Sequence, residues 1–256
     1  MLMLIRQELY KLFHKTGTWV AMVIMVLMQI GFAVATLKLP DLFSATSLVN
    51  EQFVGGELIV FFAIAMTASI IAMEFQYGTI KQLLYRRYYR SQVFVSKIIT
   101  LLIGLVLMEV LSNAVTWALK FGLFPKVALD AKMTGGRTLI EYYAQSLGAD
   151  MLTTILLMSL VLLLATLFKS NAAAIVTGII GYFVASLAGS FLMLLIAQHE
   201  WVKWNPFTML MLSAQVQSPN FAKMTMLSTP VMIYCSLGYT VVLGLIAYLS
   251  FRRRSV

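Results

Sequence analysis

The chain has 256 residues, of which 61% are hydrophobic and only 11% charged, with a formal net charge of +9. Soluble domains carry about 25% charged residues, and a core of this size cannot hide so many apolar side chains, so a soluble fold is excluded and lipid must solvate much of the surface. The single Cys235 excludes an intrachain disulfide, and His14 and His199 lie too far apart in sequence to suggest a metal or redox motif.

The first element is residues 2–15, LMLIRQELYKLFHK. Ile5, Leu9, Leu12 and Phe13 fall on one side and Arg6, Lys11 and Lys15 are spread over the other. This pattern predicts an interfacial amphipathic helix over residues 1–16, leading into the first span.

Six apolar runs follow, near 17–37, 57–73, 98–121, 147–168, 172–197 and 230–251. Each meets or approaches the ~20 residues that a helix needs to cross the hydrocarbon layer. The first run has basic residues ahead of it and the small-x-small triplet Ala33-Val34-Ala35, as a signal peptide would. Its apolar part from Trp19 to Leu37 is longer than the ~7–15 residues of a signal core, so it reads as a retained span. The second is the shortest, and Phe53 and Val54 could lengthen it.

Between the second and third spans lies EFQYGTIKQLLYRRYYRSQVFVSK, residues 74–97. Gly78-Thr79 breaks the continuation of the second span, and Thr79 can cap a new helix. Ile80, Leu83, Leu84 and Tyr88 then recur at i, i+3, i+4 and i+8, the helical period. Lys81, Arg86, Arg87 and Arg90 could not sit within a span. The segment reads as a helix lying against either lipid headgroups or a cytoplasmic partner, and amphipathicity alone leaves both open.

In the third span Glu109 lies mid-run, with Ser112, Asn113 and Thr116 on the same helical face. An ionisable group at bilayer depth costs at least ~2.5 kcal/mol on insertion scales, so it should face protein or water. A protonated Glu bonded to a neighbouring helix and a residue lining or gating a substrate path both satisfy this. The KSN turn at 169–171 makes the fourth and fifth spans a tight hairpin. In the fifth, Gly181, Ala185 and Gly189 form a small-residue stripe, with Thr177 one step before it. Such a stripe allows close helix approach, within the subunit or across a dimer.

Over residues 198–229, Trp201, Trp204 and Phe207 suit a membrane interface, and Asn205-Pro206 supplies an N-cap with proline at the first helical position. A short re-entrant or interfacial helix on the outer side is expected. The 17 methionines scatter through the spans as apolar filler rather than forming a copper site.

With the N-terminus inside, twelve of the 19 Lys and Arg fall on inner segments and seven on outer ones, while two acidic residues fall inside and seven outside. Both termini are therefore expected in the cytoplasm. The basic residues sit at the inner ends of spans, where topology and anionic lipid account for them without nucleic acid. The predicted fold is all-α: a polytopic membrane protein with six transmembrane helices and a single transmembrane domain over residues 1–256.

The arrangement resembles the membrane subunit of ABC transporters, in the type-two exporter permease family. The resemblance rests on the opening LIRQELYKLFHKTGTW, on the six spans, and on E-x-x-x-G-T-x-x-x-L-L after the second span. In this chain the last is Glu74, Gly78, Thr79, Leu83 and Leu84, followed by Arg90 and by Ser96-Lys97 opening the third span. Members often carry a proline shortly before the position of Arg90, where this chain has Arg87-Tyr88-Tyr89. The resemblance implies that residues 74–97 hold a cytoplasmic coupling helix, with Arg86 and Arg87 on it, seated in a groove of an ATP-binding subunit. It also agrees with an outer hairpin over 198–229.

The chain has no G-x-x-x-x-G-K-[ST] loop to cradle phosphates, so ATP and Mg are expected in a partner ATPase, with no cofactor in this chain. The implied assembly has two ATP-binding subunits and a second permease chain, identical or homologous, in a bacterial cytoplasmic membrane. Small permeases with little outer domain resemble those that export or confer immunity to antimicrobial peptides of the lantibiotic and bacitracin type. The expected function is outward movement of an amphiphilic substrate, with no catalysis in this chain. An intramembrane enzyme would need paired acids, a Ser/Lys pair or several histidines at depth, and Glu109 is the only acid in the interior of a span, Glu57 and Asp150 standing at the ends of theirs. An ion-coupled secondary transporter or channel using Glu109 is the alternative, which broken helices or an internal repeat would mark.

Overall fold

The computed structural model describes residues 1–79, 88–132, 136–168, 170–218 and 220–253. In chain order these form α1 (Leu2–His14), α2 (Thr16–Lys38), α3 (Ala45–Asn50), a 3₁₀ turn (Gln52–Val54), α4 (Gly55–Gln76), α5 (Arg90–Leu123), α6 (Leu139–Leu167) and α7 (Asn171–Gln198). A second 3₁₀ turn (Glu200–Trp204), three short helices α8 (Pro206–Met209), α9 (Leu212–Gln217) and α10 (Phe221–Thr225), and α11 (Thr229–Arg253) complete the chain. Six helices among the described residues are long and apolar enough to cross a membrane. The protein is an all-α polytopic membrane protein.

The third and fourth of these helices start about eight residues before the apolar runs do. Arg90–Lys97 and Leu139–Ser146 are helical, because backbone hydrogen bonding continues where hydropathy has already fallen. Phe53 and Val54 do not extend the second span as regular helix. They belong to a left-handed turn that precedes it.

The chain divides into two compact units. Unit 1 comprises Met1–Phe62 and Ile98–Ala144. Its α2 is apolar all round, and its buried stripe is the less apolar side: Thr18, Met25, Gln29, Ala33 and Thr36. Trp19, Val23, Leu27 and Val34 are exposed on the same helix. That inversion is what lipid as solvent produces, since small and polar groups mediate contact between spanning helices. Around the turn at 52–54, Ala33, Leu48, Val49, Phe53 and Phe124 form an apolar cluster. Phe53 is fully buried and stacks on Phe124 with ring centroids 5.7 Å apart. Ser44 begins α3, its hydroxyl accepting from the Ser47 amide.

Unit 2 comprises Ala63–Lys97 and Gln145–Val256. Ala149, Leu156, Met209, Leu212, Val216, Leu227 and Met232 form its core, which ties the short helices α8 and α9 to α6 and α11. Residues 198–229 thus fold as a packed segment. Asn205 accepts from the Phe207 amide at 2.9 Å and Pro206 opens α8. Gln215 holds the return: its amide donates to Leu227 O and Thr229 Oγ1, and Thr225 donates to its oxygen. At the other end Phe251 packs on Phe75 and Phe94 at 5.7 and 5.4 Å. Only Phe168 to Ser170 separate α6 from α7, and Lys169 lies outside the described residues.

Candidate functional site

Two polar clusters stand out, one in each unit. The first lies at the root of the 74–97 segment. Gly78, at φ +67°, ends α4 in the left-handed conformation that suits glycine. The turn brings Thr79 back onto the helix, where its hydroxyl donates to the Glu74 carboxylate; the helix it was expected to cap lies outside the described residues. Lys97, two turns into α5, donates to the same carboxylate at 3.2 Å. Both Lys97 and Glu74 are buried. One carboxylate therefore ties the start and the end of the intervening segment together.

Arg90, at the start of α5, donates from its guanidinium to the Arg252 carbonyl near the end of α11. Gln76 meets the first residue of α7, its side-chain oxygen accepting from the Asn171 amide at 2.9 Å. Of the residues singled out in sequence, Glu74, Gly78, Thr79 and Arg90 lie in or beside this cluster. Leu83, Leu84, Arg86 and Arg87 lie outside the described residues.

The second cluster is in unit 1 and holds the stripe of the third span. Glu109, Ser112 and Thr116 are buried. Asn113 donates to the Glu109 carbonyl at 2.7 Å and to its carboxylate at 3.5 Å, and Tyr143 donates to Asn113. Gln52 donates to Glu109 Oε2 at 3.4 Å and accepts from Ser112. Gln29, on α2, lies 2.9 Å from Gln52 O, 3.0 Å from Ser112 Oγ and 3.2 Å from Thr116 Oγ1. All four stripe residues therefore belong to one hydrogen-bonded cluster.

Gln29, Gln52, Gly55 and Tyr143 are members that sequence reasoning missed. A lone glutamine within an apolar run was the available signal for Gln29. Gly55 is required by close approach: a Cβ there would fall 2.4 Å from Ser112 Oγ and 2.5 Å from Gln29 Nε2. No group of three or more His, Cys, Asp or Glu that could hold a metal occurs among the described residues.

The small-residue stripe of α7 meets different surroundings along its length. A Cβ on Gly189 would meet the end of the Met211 side chain at 2.5 Å, whereas one on Gly181 would meet nothing within 4 Å among the described residues. Ala185 is half-buried. Gly178, which the stripe did not include, packs against Ile64 Cγ2, 2.7 Å from where its Cβ would lie.

Residues 9–256 match the family described as "Protein of unknown function (DUF2705)". The chain belongs to this family. It is 26% identical, over an alignment of 322 residues, to "Uncharacterized protein YhcI" of Bacillus subtilis (strain 168), covering 100% of this chain and 99% of that one. It is 29% identical over 185 residues to "Uncharacterized membrane protein YdbK" of the same organism, covering 69% of this chain and 72% of that one. The second relative is named a membrane protein, in keeping with the six apolar helices found here.

Proposed function

We propose that this chain is the membrane-spanning subunit of an ABC exporter. It would move an amphiphilic substrate, in our reading an antimicrobial or toxic peptide, outward at the expense of ATP hydrolysed by a separate subunit. The observation that carries the reading is the buried Glu74 holding both Thr79 and Lys97. A segment whose two roots share a buried ion pair moves together with the helices it joins. A push on residues 80–87 would then pass into α4 and α5 rather than being absorbed by a slack loop. That is the requirement for a coupling element driven by an ATPase.

In this reading the working assembly contains two permease chains, identical or homologous, and two ATP-binding subunits that carry ATP and Mg. It sits in the bacterial cytoplasmic membrane with both termini in the cytoplasm, and this chain performs no catalysis. Reconstitution into vesicles with the cognate ATPase tests it. ATP-dependent export or peptide resistance that appears only with both chains is the expected result. Transport by the permease alone under an ion gradient would overturn it.

One observation favours the alternative of an ion-coupled transporter: the helical break at residues 51–54, beside Glu109. Discontinuous helices at depth are a recurring feature of secondary transporters.

A further inference from the structure

Near its C-terminal end α5 carries a lysine to which the chain gives no counter-ion. Lys120 is 5% exposed, so its side chain is folded against the protein instead of reaching freely into water. Lys97, on the same helix, is as deeply buried but donates to Glu74. All ten Asp and Glu of the chain are among the described residues, and none of them pairs with Lys120. Its contact is instead the Phe121 ring, whose centroid lies 4.4 Å from Nζ. A ring face attracts an ammonium group, yet it carries no net charge, and an ammonium taken out of water calls for an anion.

A second donor stands one turn away on the same face of the helix. Trp117 stacks on Phe121 with ring centroids 5.9 Å apart and meets the Tyr143 ring edge-on at 5.2 Å. Tyr143 is buried and fastened in turn by donating to Asn113, so the indole is held from both sides. Its N–H makes no hydrogen bond among the described residues. The Phe121 ring is thus shared by an ammonium and an indole, two donors whose acceptor the protein does not supply. A cationic and a neutral donor gathered on one ring suit a single oxyanion.

The position along the helix says which oxyanion. Between Ile98, where the apolar run of α5 begins, and Lys120 the helix rises about 33 Å, slightly more than the ~30 Å hydrocarbon layer. Lys120 therefore stands at the level of the lipid headgroups, where Trp and Tyr also concentrate. The ring it leans on is at the protein surface, since Phe121 is exposed. We propose that Trp117 and Lys120 bind the phosphate of an anionic phospholipid of the phosphatidylglycerol class, the indole N–H and the ammonium each donating to a phosphate oxygen. A zwitterionic lipid brings its own ammonium to compete for that phosphate, which favours a headgroup with net negative charge. The inference uses only the spanning character of α5 and holds under either transport mechanism.

The test uses the full chain, purified in dodecyl maltoside and freed of lipid, and melted with phosphatidylglycerol, phosphatidylcholine or inorganic phosphate. Phosphatidylglycerol should raise the melting temperature by roughly 5 °C over phosphatidylcholine. Lys120→Met and Trp117→Phe should each remove most of that difference, and Lys120→Arg should keep it. In parallel, phosphatidylglycerol with a photoreactive headgroup is crosslinked to the wild type and the label mapped by peptide mass spectrometry. Label within residues 117–124 supports the site and decides the matter if Lys120→Met does not fold, whereas label confined to other segments overturns it. Equal shifts from the two lipids, or a shift undiminished in Lys120→Met, also overturn it. The same shift from inorganic phosphate alone overturns the lipid assignment in favour of a free anion. A lipid-insensitive wild-type dimer that Lys120→Met converts to monomer overturns it in favour of a carboxylate from a second copy of the chain.

Discussion

Lys97 Nζ lies 3.2 Å from Glu74 Oε1, and the two residues are 0% and 6% exposed. Removing one partner of such a pair leaves a buried charge behind, which typically costs about 3–5 kcal/mol. Lys97→Met should therefore lower thermal stability in detergent sharply. The exchange Glu74→Lys with Lys97→Glu should recover a substantial part of the loss. A Lys97→Met protein that melts with the wild type would show that the pair contributes nothing.

The coupling proposal predicts that Leu83→Asp or Leu84→Asp abolishes co-purification with an ATP-binding subunit while membrane insertion is unchanged. Variants that still bind and stimulate the ATPase would reduce residues 74–97 to a lipid anchor.

For topology, single cysteines introduced into a Cys235→Ser background should label from outside at positions within 38–56, 122–146 and 198–229. A cysteine at Tyr85 should label only from the cytoplasm, and outside labelling there would overturn the orientation.

Two glycines should respond oppositely to the same change. At Gly55 a methyl group would press on Ser112 and Gln29 within 2.5 Å, so Gly55→Ala should destabilise by about 1–3 kcal/mol. At Gly181 no described residue lies within 4 Å of where the methyl would sit, and helix propensity should leave Gly181→Ala neutral or up to ~1 kcal/mol more stable. Thermal melting of the two variants side by side checks both.

Much of the architecture was legible in sequence because a spanning helix is specified locally, by some twenty apolar residues in a row. The bounds of α2, α7 and α11 fall within one or two residues of their apolar runs. The early starts of α5 and α6 were not legible, because hydropathy marks where lipid begins and not where hydrogen bonding does. The Glu109 face was readable from its i, i+3, i+4, i+7 spacing. Its partners Gln29 and Gln52 were not, since they lie 83 and 60 residues from Ser112 in sequence and no local period encodes a meeting at that range. Phe53 misled for a related reason. Its apolar character suggested more span, whereas its burial against Phe124 holds a turn in place.

The 60 residues between Gln52 and Ser112 also impose a timetable on biosynthesis. A ribosome adding roughly 5–20 residues per second takes about 3–12 s to cover that interval. Throughout it, the left-handed turn has Gln29 available but neither Ser112, Glu109 nor Phe124. The N-terminal end of the second span can settle only after the third has been delivered beside it. In the nascent protein, insertion of the second helix and formation of its bent entrance are therefore separate events, with the third helix acting as the template for the latter.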